Sequence, residues 1–273
     1  MVRIVAVGDN DVDCYQSDGL MYPGGNCFNV SVFASRFGAQ SAFIGAIADD
    51  PAGRLIRGTL EQEGVDTRRL RVVDGITAYC IIGHESSDRV FLSNDFGVSR
   101  FTPDAGDLSL IAECDAAHVY QSCGLDGWLE RFAARTKLSY DFSTKREAEH
   151  RERVAPHCWL ASISASDLPP GDTVSLMKSV AAHGPSWVLA TRGSHGAMLS
   201  NGQEIFSVAA TLVDIVDTLG AGDTFIARVL VGLLDNEPPQ AVLQEAADAA
   251  AQTCTYLGAV GNGSPVELPN SRL

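Results

Sequence analysis

The chain has 273 residues, 45% of them hydrophobic and 20% charged, with 34 acidic against 20 basic side chains and a formal net charge of −14. That length buries a substantial core in one large or two modest units. The acidity argues against nucleic acid and anionic membranes as partners, because both need a basic surface, yet it leaves room for a phosphate site built from backbone N–H groups.

Short β-branched runs alternate with helical patterns along the chain. Residues Arg3–Val7 read as a strand ending at Gly8-Asp9, and Asn26–Phe37 as a helix that opens just after Gly24-Gly25. Ala42–Ile47 follows as a strand and Ala52–Glu63 as a helix stopped by Gly64. Further strands are expected at Ala116–Gln121, Leu138–Phe142, Trp159–Ile163 and Trp187–Ala190, with helical segments between them. This alternation predicts an α/β fold with a mainly parallel sheet and helices on both faces. The rhythm breaks between about residues 70 and 100. Thr77–Phe91 reads as two short strands around His84-Glu85-Ser86-Ser87-Asp88, and with Leu70–Val73 it forms a small antiparallel excursion. Such an excursion serves either as a flap over the sheet or as an ordinary edge hairpin. Residues 261–273 read as a loosely ordered tail, and 1–273 as one domain.

The N-terminal apolar run, Ile4–Val7, is too short for a signal-peptide core, and no stretch approaches the ~18 apolar residues of a membrane span. A cytoplasmic location is the expectation. The seven cysteines are widely spread with no Cys-x-x-Cys, which suits buried free thiols in a reducing compartment.

The strongest chemical signal is Val216-Asp217-Thr218-Leu219-Gly220-Ala221-Gly222-Asp223, set before an apolar helix. Small residues at Gly220, Ala221 and Gly222 let an anion approach the N–H groups at the positive end of the helix dipole. Asp223 lies in the same turn, where it either supports the helix N-terminus or acts as a general base on a hydroxyl attacking a phosphoryl group. The usual nucleotide motifs are missing. Only three lysines occur, Lys137, Lys145 and Lys178, and none completes a P-loop; no Gly-x-Gly-x-x-Gly follows the first strand. Thr191-Arg192-Gly193-Ser194-His195-Gly196 offers a tight turn after a strand, suited to a ligand or to a hairpin.

Together these segments resemble the PfkB/ribokinase-like family of sugar and nucleoside kinases. The resemblance rests on Asp217–Asp223, on Gly24-Gly25-Asn26-Cys27-Phe28-Asn29-Val30 through Gly38, on Gly45–Gly53, and on Thr191-x-Gly193-x-x-Gly196. Gly8–Tyr15, Asp88–Phe91 and Asp141–Lys145 are similar to the branch of that family that phosphorylates fructoselysine. The resemblance implies a ribokinase-like fold with a small β lid, and transfer of phosphate from ATP to a sugar hydroxyl with Mg²⁺. Asp223 would be the base and Gly220, Ala221 and Gly222 the anion hole. Asp9, Asp13, Gly25, Asn26 and, from the lid, Arg89 would bind the acceptor, and Thr191, Gly193 and Gly196 the nucleotide. Taken without the resemblance, Asp9 and Asp13 also serve as turn residues and Arg89 as a solvated hairpin charge. In some members a monovalent cation, K⁺, sits at the position of Asp217, and many dimerise through the lid. The family's Asn-x-x-Glu, which organises Mg²⁺, has no counterpart in Leu160–Asp167, so the Mg²⁺ ligands are not assigned. Open alternatives are a kinase of another ketohexose or a nucleoside, and a non-catalytic sugar- or nucleotide-binding regulator on the same fold.

Overall fold

The structure, a computed structural model, describes residues 1–85 and 88–268, with the side chains of 84–91 outside the description. Strand β1 (Arg3–Val7) is followed by β2 (Asp11–Tyr15), β3 (Leu20–Gly24), helix α1 (Asn26–Arg36), β4 (Gln40–Ile47), α2 (Pro51–Gln62) and β5 (Asp66–Val72). Next come β6 (Tyr79–Glu85), β7 (Asp88–Asp95), α3 (Ala105–Ala112), β8 (Ala116–Tyr120), α4 (Leu129–Ala133), β9 (Lys137–Asp141) and α5 (Ala148–Val154). The chain continues through β10 (Leu160–Ser164), α6 (Pro170–Ala181), β11 (Trp187–Thr191), β12 (Ala197–Ser200) and β13 (Ile205–Val208). Helices α7 (Ala221–Leu234) and α8 (Pro239–Thr253) precede a short β14 (Ser264–Pro265).

Nine strands form one sheet in the order β13-β12-β11-β10-β9-β8-β1-β4-β5. All neighbours from β11 to β5 are parallel, and β12 and β13 add an antiparallel edge. The centre is buried on both faces: Ile4, Val5, Ala6 and Val7 of β1 are all fully buried, as helix-covered parallel strands require. The expected α/β architecture is therefore present. Among the described residues no helix is long and apolar enough to cross a membrane.

Two expectations about the antiparallel region are corrected. Leu70–Val73 is not part of it: β5 runs parallel to β4, with Gly45 opposite Leu70, as the last strand of a β-α-β unit through α2. The second sheet is larger than the Thr77–Phe91 pair, with five strands in the order β14-β3-β2-β6-β7. Strands β2 and β3 escape notice because they are short and one contains Pro23, which breaks the usual strand signal. Their register, Asp11 opposite Gly24 and Asp13 opposite Tyr22, joins this sheet to α1 directly. Nor is the segment after Gly261 wholly loose, since Ser264–Pro265 pairs with Leu20–Met21; residues 269–273 lie outside the described residues.

The open edge of the large sheet is fixed by charge. Asp107 of α3 is fully buried and accepts from Arg69 at 2.8 Å and from Arg71, both on β5, while it closes a capping box with Asp104. Removing a member of a buried pair costs about 3–5 kcal/mol. Here the guanidiniums are 28% and 21% exposed and can turn to water, so Asp107→Ala is expected to cost about 2–3 kcal/mol in urea denaturation.

Candidate active site

Side chains gather where the parallel strands end, the usual ligand position of open α/β sheets. Beyond β1 the carboxylate of Asp9 accepts from the backbone N–H groups of Asn26 at 2.9 Å and Cys27 at 3.0 Å, opening helix α1. Gly25, with φ 99°, makes this entry possible: a Cβ there would lie 2.7 Å from the Cα of Asn10. Asp9 thus serves α1 with both oxygens, a role its position after a strand does not reveal.

Asn26 is the hub. Its Nδ2 donates to Asp141 at 2.9 Å and to Asp223 at 2.7 Å, and its Oδ1 pairs with Nε2 of His118 at 2.9 Å. Two carboxylates on the amide nitrogen fix the amide's orientation, and the carbonyl must then accept. His118 therefore carries its proton on Nε2, leaving Nδ1 to accept from the Ser139 hydroxyl at 2.9 Å. One turn along α1, Asn29 donates to the other oxygen of Asp223 at 2.7 Å.

Asp223 sits in the first turn of α7, behind Gly220, which adopts φ 77° and heads the helix. A Cβ at Gly220 would lie 2.8 Å from the Cα of Ala259, so glycine is required. The first-turn N–H groups of such a helix have no intrahelical acceptor and face an anion with the dipole behind them. The turn is anchored by Asp217, whose oxygens accept from the N–H groups of Leu219 and Gly258, each at 3.0 Å, and from the hydroxyl of Tyr15 on β2. Just before it lies an exposed apolar run in which Leu212 is 93% and Ile215 67% exposed.

The electrostatics are unusual for an exposed-looking acid set. Burial is the main force pushing Asp223 up to about 8, with Asp141 and Asp9 adding repulsion and the two asparagine amides opposing it. Burial likewise pushes Asp141 up to about 7, against hydrogen bonds from Ser143 and Asn26. Asp11 is held well above the carboxylate range by burial and by Asp13, Asp9 and Asp223, and its Oδ1 has no partner. The side chain of Asp13 lies beside Gly24, where a Cβ would collide with it.

Asp223, Asn26, Gly25 and Asp9 are thus brought together, with Asp13 and Asp11 approaching from the small sheet. Thr191, Gly193 and Gly196 form a turn beyond β11 at the same end of the large sheet, Gly193 exposed and Gly196 packed under Val208 and Ala209. Arg89 lies on β7, and its side chain, like those of Glu85 and Asp88, is outside the described residues. Asp167 is engaged in a two-point ion pair with Arg146, at 2.8 and 2.5 Å. Sequence reasoning missed Asn29, His118, Asp141 and Asp11. Asn29 stands one helical turn from Asn26, and Asp141 ends a strand, so both carried a positional signal; His118 carried none.

The donors fit the groups the sequence implies. Asp141 and Asp223 offer carboxylate oxygens bridged by one amide, a donor set suited to a hard cation such as Mg²⁺. The α7 turn suits phosphate and the apolar run beside it a purine.

A model of the pfkB family carbohydrate kinases matches residues 1–266. The chain is 36% identical over 272 residues to fructosamine kinase FrlD of Bacillus subtilis, covering 98% of this chain and 96% of that protein. It is 32% identical over 263 residues to the fructoselysine 6-kinase of Escherichia coli, covering 95% of this chain and all of that protein. Among solved structures, Arabidopsis thaliana ribokinase complexed with ribose and ATP superposes with a TM-score of 0.81 at 19% identity, covering 96% and 95% of the two chains.

The buried imidazole gives a test of the hub. Burial lowers His118 to about 3, so the folded state stays neutral where the unfolded chain, near 6.5, takes up a proton. Stability is therefore lost as pH falls from about 6.5 toward 3. At pH 7.5, His118→Leu should cost about 1–3 kcal/mol by leaving Asn26 and Ser139 without their partner. The gap to wild type in urea denaturation should narrow at pH 5; a constant gap would contradict the buried neutral tautomer.

Proposed function

The chain belongs to the pfkB family of carbohydrate kinases and is an ATP-dependent sugar kinase, and on that premise we propose that its acceptor is a fructosamine, with fructoselysine phosphorylated at the 6-hydroxyl as the first case. Asp223 is the general base. It faces the anion site of its own helix, and the amides of Asn26 and Asn29 each occupy one of its oxygens, which holds the carboxylate still while leaving its remaining lone pairs for a hydroxyl proton. That arrangement carries the mechanistic part of the reading. Gly220, Ala221 and Gly222 let the transferring phosphoryl group approach the N–H groups of the turn, where oriented dipoles stabilise its developing charge. Mg²⁺, when bound, neutralises phosphate charge. Asp141 and Asp223 would hold it through their carboxylate oxygens, with Asp167 engaged instead by Arg146.

The acceptor side is acidic. Asp11, Asp13 and Asp9 converge on it, and the unpaired oxygen of Asp11 suits the ammonium of an aminated sugar. Arg89 completes the acceptor site from the small sheet, which acts as a lid on a single-domain chain. Thr191, Gly193 and Gly196 border the nucleotide, whose base rests on the run from Leu212 to Val216. K⁺ beside Asp217, a homodimer through the lid and a cytoplasmic setting without nucleic-acid or membrane partners complete the proposal. The lid carries exposed apolar residues at its edge, Leu92 at 52% and Phe96 at 42%.

Asp223→Asn tests the base. Its kcat should fall by about 10²–10⁴-fold, while folding is preserved because Asn29 can turn its own unpaired carbonyl toward the new amide. In the wild type the folded state keeps its proton up to about 8 and the unfolded chain releases it near 3.9, so stability is lost as pH rises between those values. The melting temperature of Asp223→Asn should therefore gain on wild type from pH 5 to pH 9, and wild-type kcat/KM should show an acid limb between pH 7 and 8 reported by the Asp141–Asp223 pair. Near-wild-type turnover in the variant would refute the role.

A coupled ADP-release assay over fructoselysine, other fructosamines, fructose, ribose and nucleosides tests the acceptor. Fructosamines should exceed fructose in kcat/KM by about 10–100-fold, the worth of one charge-assisted hydrogen bond. That margin should shrink in Asp11→Asn. Equal use of fructose and fructoselysine would leave the kinase and remove the fructosamine.

A further inference from the structure

Two cysteines 96 residues apart in sequence meet beneath the acceptor side of the site, although no short motif announces them. Cys27 lies in the first turn of α1 and Cys123 just past β8, both buried, with their sulfurs 3.7 Å apart. Cys123 Sγ is also 3.4 Å from Oδ1 of Asp9. One atom from each of Asp9, Cys27 and Cys123 lies within 4.8 Å of the others. We propose that these three residues form a binding site for one thiophilic divalent cation of the Zn²⁺ or Cd²⁺ class.

The spacing is the first support. Two thiolates bound to Zn²⁺ at about 2.3 Å in tetrahedral geometry stand about 3.8 Å apart, and a thiolate and a carboxylate oxygen at about 2.0 Å stand about 3.5 Å apart. The two edges observed, 3.7 and 3.4 Å, are those of such a tetrahedron. The space is the second. A Cβ on Gly8 would collide with the sulfur of Cys123 and come within 3.0 Å of that of Cys27, so glycine at position 8 leaves both sulfurs room to converge. Charge is the third. The Asp9 carboxylate beside both sulfurs opposes a further negative charge there, and a divalent cation would offset that repulsion.

Softness separates this site from the one that takes Mg²⁺. Two sulfurs select Zn²⁺ or Cd²⁺, whereas Asp141 and Asp223 offer oxygen alone. Burial pushes both thiols up, so on binding the cation displaces a proton from each to water. Three protein ligands leave a fourth position for water or another oxygen ligand. Because Asp9 also opens α1, occupancy of this site bears on the helix that carries Asn26 and Asn29.

The test uses the full chain in Mg²⁺ buffer without ATP. Titration with Cd²⁺ should give one equivalent per chain, with the near-ultraviolet thiolate charge-transfer band. In Cys27→Ser and in Cys123→Ser the affinity should fall about 100-fold or more, with near-ultraviolet circular dichroism confirming the native fold. X-ray absorption of wild-type protein loaded with one equivalent of Zn²⁺ needs no variant, and should show two sulfurs at about 2.3 Å with oxygen completing the shell. Absence of stoichiometric binding, retention of tight binding in either folded variant, or a first shell with no sulfur, one sulfur or more than two would overturn the proposal.

Discussion

One amide holds the candidate site together. Asn26 spends both N–H groups on carboxylates from two distant parts of the chain, Asp141 at the end of β9 and Asp223 at the head of α7. The carbonyl it has left is then committed to His118, and through it to Ser139 on the neighbouring strand. The amide is itself positioned by Gly25 and Asp9, which start the helix at that residue and no other. Three structural elements, β8, β9 and α7, thus converge on one side chain of α1 and fill both of its N–H groups and a lone pair of its carbonyl. Because the site is buried, an unfilled direction would cost about 1–3 kcal/mol, so the network constrains the relative placement of the elements as well as the chemistry.

The hub also concentrates acidic groups. Asp9, Asp11, Asp13, Asp141 and Asp223 lie near one another, and three of the five are raised by burial and mutual repulsion. Such a group holds protons until cations replace them. A kinase site of this kind brings its own cations in the form of metal bound to nucleotide, and an aminated acceptor adds another. The chain's net charge of −14 and its three lysines acquire a specific meaning here. On the proposed reading, phosphate is attracted by a helix terminus and not by the global field, and a cationic acceptor would meet the acidic side of the site.

Much of this architecture was legible in the sequence. The parallel strands were visible because buried strands are continuous β-branched runs, and α7 because its apolar residues recur with helical period while Gly220 and Asp223 mark its start. What stayed hidden was what depends on contacts between distant segments. His118 sits in an apolar strand with no polar neighbour, so only the fold reveals its two partners. Asp9 looks like a turn residue and turns out to open α1. Strand β2 is short and carries two acids, and Pro23 interrupts β3, so periodicity marks neither, yet β2 delivers Asp11 and Asp13 to the site. Cys27 and Cys123 illustrate the same limit, because nothing in a 96-residue separation suggests that two sulfurs will touch.

The small sheet and the anion turn are mechanically joined, which gives the proposed lid a physical basis. Tyr15 stands on the same face of β2 as Asp11 and Asp13, four and two residues away, as the two-residue period of a strand dictates. Its hydroxyl donates to Asp217, and the same carboxylate gathers the N–H groups of Leu219 and Gly258 beside the head of α7. One strand therefore carries the acidic groups of the proposed acceptor side and, a few residues on, braces the turn at the head of α7. A movement of the small sheet that brought Asp11 and Asp13 onto a sugar would pull on the same strand that braces Asp217. On the proposed reading, acceptor binding and the geometry of the anion turn would be coupled through the buried Tyr15–Asp217 contact.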